Sequence, residues 1–145
     1  PGQYVVIERT WAVGDTICIQ LPMPVRRVAA HPYMLENTGR VALMRGPLLY
    51  CLEEVDHPDV SDLRDVVIPE SVELVSAFQP RLLGGIQVIE GEAVIAPVPT
   101  DWAENPYRDA PLQPQAGVAV PFLAIPYFAW ANRTVAAMQV WLKET

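Results

Sequence analysis

Bond-breaking chemistry in this chain would have to come from its carboxylates, histidines, serines or cysteines. The two histidines are His31, followed by Pro32, and His57, followed by Pro58. Nucleophilic catalysis needs a Ser or Cys with a base in reach. Neither histidine neighbours Cys18 or Cys51 in sequence, and no Gly-x-Ser-x-Gly elbow is present. Ser61, Ser71 and Ser76 stand in polar or strand-like contexts, and both histidines read as structural. Glycoside hydrolysis needs two carboxylates roughly 5–10 Å apart, but 17 acidic residues always offer pairs, so their number alone decides nothing. Eight of them fall between Glu53 and Glu73, balanced only by Arg64. Asp56, Asp59, Asp62 and Asp65 recur there without the glycine that a calcium loop uses for its turn. That stretch reads as a solvated acidic loop. Leu83-Gly84-Gly85-Ile86 has neither P-loop nor dinucleotide spacing. The two cysteines fit no zinc pattern and read as reduced, small hydrophobes rather than as a bridge. Asn132-Arg133-Thr134 satisfies the glycosylation sequon, which matters only in a secreted eukaryotic protein.

The aromatics are more informative. Trp102 and Tyr107 lie in a proline-rich stretch with Asp101, Asn105 and Arg108. Sugar sites stack flat rings on the apolar side of a pyranose or furanose and hydrogen-bond its hydroxyls with such polar groups. The competing reading, which we favour, is that the loop uses its aromatics as anchors against its own or a neighbouring domain. The run Ile125-Pro126-Tyr127-Phe128-Ala129-Trp130-Ala131 is apolar on both faces. It must be buried, in this core or against another domain, with Tyr127 and Trp130 as the contacts.

The elements that would position these residues are short. Fifteen prolines, about twice the average usage of about 5%, and eight glycines punctuate the chain throughout and leave little room for helices. Between them lie segments rich in Val, Ile and aromatics, which suit a pleated, half-buried surface. Strands are expected at residues 4–9, 16–21, 25–30, 40–44, 47–53, 66–68, 72–78, 86–96, 118–130 and 136–142. Turns are expected at Val13-Gly14-Asp15, Glu36-Asn37-Thr38-Gly39, Arg45-Gly46-Pro47 and Leu83-Gly84-Gly85. Residues 58–63 allow one helical turn, and Gly91 marks a bulge or a second hairpin turn within its strand. Residues 97–117 read as a long loop with a job of its own. The result is an all-β fold, an antiparallel, jelly-roll-like sandwich with little helix.

Composition narrows the function further. The chain has 145 residues, 51% of them hydrophobic, enough for a packed core. Its net charge of −7 argues against nucleic acid and against an anionic membrane surface. No run reaches the roughly 18 apolar residues of a membrane span. The longest, residues 118–131, is interrupted by Pro121 and Pro126. The start Pro1-Gly2-Gln3-Tyr4 shows no signal peptide, and we expect a piece of a larger protein.

Several blocks then fall into a familiar order. Leu21-Pro22-Met23-Pro24-Val25 and Gly39-Arg40-Val41-Ala42-Leu43 are followed by Arg45-Gly46-Pro47-Leu48-Leu49-Tyr50-Cys51. Ile125-Pro126-Tyr127-Phe128-Ala129-Trp130-Ala131-Asn132-Arg133 closes the series. Over essentially its whole length the chain resembles the C-terminal region of bacterial β-L-arabinofuranosidase-like enzymes, glycoside hydrolase family 127. That resemblance implies a parent with an (α/α)6 catalytic barrel, which carries a zinc-bound cysteine nucleophile and an acid/base glutamate. It implies no catalytic, cofactor or metal role for any residue of this chain, and zinc only in the parent's catalytic domain. It also implies a division, with residues 1–33 as terminal strands of a preceding sandwich and 34–145 as the C-terminal one; a single unit over 1–145 is the alternative. The expected role is a non-catalytic brace for the barrel, with an autonomous carbohydrate-binding module as the rival. Trp102, Tyr107, Arg108, Tyr127 and Trp130 are then the candidate carbohydrate or interdomain contacts. Expected partners are the barrel, a possible carbohydrate and a second copy through exposed strands, in a bacterial cytoplasm.

Overall fold

A computed structural model describes residues 2–95, 107 and 117–145. Among the described residues nine strands carry the fold: β1 (Val25–Ala29), β2 (Arg40–Arg45), β3 (Leu48–Glu53), β4 (Val66–Ile68), β5 (Val75–Gln79), β6 (Ile86–Ile95), β7 (Val118–Pro126), β8 (Met138–Gln139) and β9 (Leu142–Glu144). What helix there is consists of three-residue 3-10 turns, such as Glu54–Asp56 and Tyr127–Ala129. The all-β expectation holds.

The hydrogen-bonded ladder closes on itself. β2 bends at Gly46, whose φ of 56° suits glycine, into β3. β3 pairs with β7 through Tyr50–Pro126, Cys51–Ile125 and Leu52–Ala124. β7 runs antiparallel to β6 from Ile89–Ala124 to Ile95–Val118. β6 passes to β4 through Val66–Ile95, and β4 to β9 through Val67–Lys143. β9 returns to β2 through Val41–Leu142. The β4–β9 pair is parallel and the others are antiparallel, so the sheet is mixed. β1, β5 and β8 are added on the outside of this circuit, against β2, β6 and β3.

Period-two alternation sorts the side chains between two cores. Leu43, Tyr50, Leu52, Val66, Ile89, Phe122, Ala124 and Leu142 face the interior, so every strand of the circuit contributes to one cluster. Their sequence neighbours Cys51, Val88 and Ile125 point the other way, into a second cluster with Ala129. Leu82, Leu83, Met138 and Val140 cover that cluster from outside. The Tyr50 hydroxyl, the polar tip of an otherwise apolar position, donates to the Gln87 carbonyl at 3.1 Å. Arg27 of β1 ties the first core's rim together, donating to Pro69 O at 2.9 Å, Val72 O at 2.8 Å and Glu144 Oε1 at 2.7 Å.

Three expectations are corrected. Residues 4–9 and 16–21 do not form strands, because among the described residues no edge is offered to satisfy their backbone groups. Only their turn forms: Asp15 accepts from Ala12 N at 2.9 Å and pairs with Arg9 at 3.0 Å. Gly91 is neither bulge nor turn. The β6–β7 register runs straight through it, opposite Phe122, and a Cβ at this position would lie 2.7 Å from that ring. The last strand is broken at Val140–Trp141, where the chain leaves β3 and joins β2 and β4. The apolar run 125–131 divides: Ile125, Pro126 and Ala129 are buried within this chain, while a 3-10 turn after Pro126 leaves Tyr127, Phe128 and Trp130 on its surface, where only another domain could cover them.

Val25–Ala29 pairs with Arg40–Arg45 across the expected division after Tyr33. The long loop expected at 97–117 lies outside the described residues apart from Tyr107 and Gly117.

Candidate functional site

The site is built at the end of β7. Ile125 and Pro126 are buried, and the 3-10 turn Tyr127–Ala129 drops Ala129 into the second core. With one residue of the turn pointing down, its neighbours must point up. Tyr127 is 41%, Phe128 68% and Trp130 37% exposed. The Tyr127 and Trp130 rings lie 6.0 Å apart and 27° from parallel, a stacked pair.

A buried acid holds this turn from below. Glu53 ends β3 on the Cys51 side of the strand and is 0% exposed. Its Oε1 accepts from the backbone N–H of Ala131 at 2.9 Å, and its Oε2 accepts from Arg133 Nη2. Arg133 also forks onto Asp56, at 2.6 Å from Nη1 and 2.5 Å from Nη2. The two carboxylates keep the guanidinium charged well above its ordinary range, Asp56 contributing most. Ala131 stands at φ 60°, a left-handed conformation that an alanine adopts only when its surroundings fix it. Glu54 adds a further tie, donating its backbone N–H to Ala137 O at 3.0 Å and accepting from Ala137 N with its carboxylate at 3.2 Å.

His57 closes the same corner. Leu123 N–H donates to its Nε2 at 3.2 Å, so the proton sits on Nδ1, which donates to Glu53 O at 2.6 Å. Both ring nitrogens are engaged within the fold, in keeping with its structural reading.

The other candidates behave differently. Of the residues singled out in sequence, Tyr127 and Trp130 are brought together. Tyr107 is exposed, and Trp102 and Arg108 lie outside the described residues. Phe128, Glu53, Asp56 and Arg133 were not singled out. The signal for them was present: an arginine three residues after Trp130, and an acid at the end of an apolar strand. The acidic run is only partly a solvated loop, since Asp56 is bound to Arg133, Asp62 to Arg64 and Asp65 to Lys143. Arg64 holds the exposed Asp62 carboxyl down to about 2. Among the described residues no group of three or more His, Cys, Asp or Glu is placed to hold a metal ion. Chemically, the arrangement presents aromatic surface on a base in which one guanidinium is shared by two carboxylates.

Both cysteines are free thiols, Cys18 exposed and Cys51 buried. Burial, with Glu53 and Asp56 adding repulsion, pushes the Cys51 thiol from its ordinary 9.0 up to about 12. We therefore expect one thiol to react with a disulfide reagent in the native protein and two after denaturation. The sign of the linked pH effect follows from the raised value. The folded state keeps a proton that the unfolded state loses above about 9, so stability falls as pH rises toward 12. Urea unfolding at rising pH checks this: Cys51→Ala should flatten the alkaline decline.

Fold and site together define a β-sandwich domain with an exposed aromatic turn at the end of β7. The chain belongs to glycoside hydrolase family 127: the sequence profile of the glycoside hydrolase family 127 C-terminal domain matches residues 25–143. It is 39% identical over 132 residues to a non-reducing end β-L-arabinofuranosidase of Bifidobacterium longum subsp. longum, covering 88% of this chain and 20% of that one. A solved family 127 β-L-arabinofuranosidase from Geobacillus stearothermophilus superposes with a TM-score of 0.72 at 44% identity, over 86% of this chain and 19% of that one. A solved glycoside hydrolase gives 0.71 at 32% identity, over 85% and 20%. The chain thus spans about a fifth of the length of these relatives.

Proposed function

We propose that this chain is a non-catalytic accessory domain, bracing the catalytic part of a bacterial hydrolase that resembles β-L-arabinofuranosidases. The observation that carries this reading is the coverage. The relatives are glycoside hydrolases, two of them named arabinofuranosidases, of which this chain covers about a fifth, and the matching family model is that of a C-terminal domain. The chemistry of the corner described above supports it, because Glu53 and Asp56 are both committed to Arg133. The two cysteines do not fit a zinc site, since one stands on the exposed N-terminal arm and the other in the core. Zinc therefore belongs, in this proposal, to the parent's catalytic domain, and no step is assigned to it here. Residues 1–33 are proposed to be the terminal strands of a preceding sandwich and 34–145 the C-terminal one, in keeping with the exposure of Tyr4, Val5, Ile19 and Leu21; one unit over 1–145 is the alternative, which the β1–β2 pairing favours. No helix among the described residues is long and apolar enough to cross a membrane.

Two assays on the isolated chain test the reading. It should leave an aryl β-L-arabinofuranoside intact, and calorimetric titration with arabinose oligosaccharides at millimolar concentration should release no heat. Turnover would make the chain an enzyme. Saturable heat would make it a carbohydrate-binding module.

A further inference from the structure

The geometry points to the Tyr127–Phe128–Trp130 turn as a preorganised docking knob that seats against an apolar surface of the remainder of the longer polypeptide. This deepens the accessory reading and rests on it.

Three observations carry the assignment. First, the turn is held far more firmly than an exposed loop requires. A fully buried carboxylate, a forked arginine and an alanine at positive φ converge on the few residues that follow the rings. Buried ion pairs contribute little net stability compared with apolar packing, and backbone strain persists where the surroundings over-determine it. Together they fix the backbone that presents three aromatic side chains, which lowers the ordering cost of binding.

Second, the chemistry of the neighbourhood selects the occupant. A sugar site needs free hydrogen-bonding groups beside its stacking rings. Here the nearby carboxylates of Glu53, Glu54 and Asp56 are all engaged internally, with Ala131, Ala137 and Arg133. What the turn offers outward is mainly ring surface, with the Tyr127 hydroxyl and Trp130 indole N–H as its polar tips and Phe128, which carries no polar side-chain atom, the most exposed of the three. Rings of this kind in a cluster mark the desolvated centre of protein interfaces.

Third, the chain matches only about a fifth of its relatives' length, so in proteins of this family a large polypeptide surface is available in cis. An apolar seat on that surface needs no second molecule to find it, because tethering supplies a high effective concentration.

Hydroxyl-radical footprinting of the 145-residue chain and of the longer polypeptide that carries it tests the proposal. Labelling of Tyr127, Phe128 and Trp130 should fall about tenfold in the longer polypeptide, as for side chains in the dry centre of an interface. Phe128→Asp in that polypeptide should restore labelling of Tyr127 and Trp130, while leaving the unfolding of the 145-residue chain unchanged. Rings labelled equally in both proteins, with protection confined to residues 4–21, would overturn the knob and leave the accessory reading standing. No protection anywhere would remove both. Ring protection that rises with the concentration of the 145-residue chain, or on adding arabinose oligosaccharide, would reassign the knob to a second copy or to a sugar.

Discussion

Replacing Arg133 with alanine should cost this domain about 3–5 kcal/mol of stability, the usual penalty for breaking a buried ion pair from one side. The reason is what remains behind. Glu53 is 0% exposed and would keep only the Ala131 N–H as a partner, with its charge otherwise uncompensated in the protein interior. Asp56 would lose both of its bonds to the guanidinium. Arg133→Lys should recover only part of the loss, because an ammonium cannot reproduce a fork that spans two carboxylates. The double variant Glu53→Leu with Arg133→Met should be more stable than Arg133→Ala, since it leaves no fully buried carboxylate unpaired, while the less buried Asp56 loses its partner in both. Urea unfolding of the four proteins at neutral pH makes the comparison. A loss below about 1 kcal/mol for Arg133→Ala would place the pair in the class of exposed surface bridges and take away the base of the aromatic turn.

Two phenylalanines on neighbouring segments should give opposite results. Phe122→Ala should cost about 3–5 kcal/mol, the range for deleting a buried aromatic ring. Phe122 lies in the interior cluster opposite Gly91, and the space beside that glycine is filled by its ring and by Leu74. Nothing else can move in without shifting a β6–β7 pairing that runs the whole length of the seam. Phe128→Ala should change stability by no more than about 0.5 kcal/mol, as surface substitutions do, because its ring packs little against this chain. Chemical denaturation of the two variants side by side provides the check. A large loss at Phe128 would mean that its ring supports the domain's own core, and the outward-facing turn would lose its meaning.

The sequence made the frame legible where local chemistry and long-range pairing agree. β2, the Gly46 bend and β3 were readable because a positive-φ glycine sits between two apolar runs, and the structure pairs them. Leu83-Gly84-Gly85 was readable for the same reason. Residues 4–9 and 16–21 have strand composition and no strand, because propensity alone cannot supply a partner edge. The break at Val140–Trp141 was invisible in the alternation of Met138, Val140 and Leu142. Both halves keep the same period, and only tertiary pairing decides that β8 and β9 join different strands.

The site was half legible. Tyr127 and Trp130 could be chosen because an apolar run with four aromatic or aliphatic neighbours in a row has to meet something. That the run would split into a buried floor and an exposed roof follows from the 3-10 turn after Pro126, which the strand pattern concealed. Glu53 and Arg133 are far apart in the chain, and their pairing is a product of β3 meeting the segment after β7. Acidic residues between Glu53 and Glu73 looked alike in sequence. Burial, not spacing, separates Glu53 from the solvated ones.

The central claim is that this β-sandwich stabilises a catalytic body elsewhere in the polypeptide and carries out no bond cleavage itself. Deleting residues 25–145 from the longer polypeptide and recording its melting temperature and arabinofuranoside turnover, with the deleted piece assayed alone, addresses it most directly. The account predicts an inactive piece and a shortened polypeptide that melts several degrees lower, since about 1 kcal/mol of lost contact shifts a large domain by about 2–4 °C. A shortened polypeptide with unchanged melting and turnover, or a piece that hydrolyses the arabinofuranoside on its own, would contradict it.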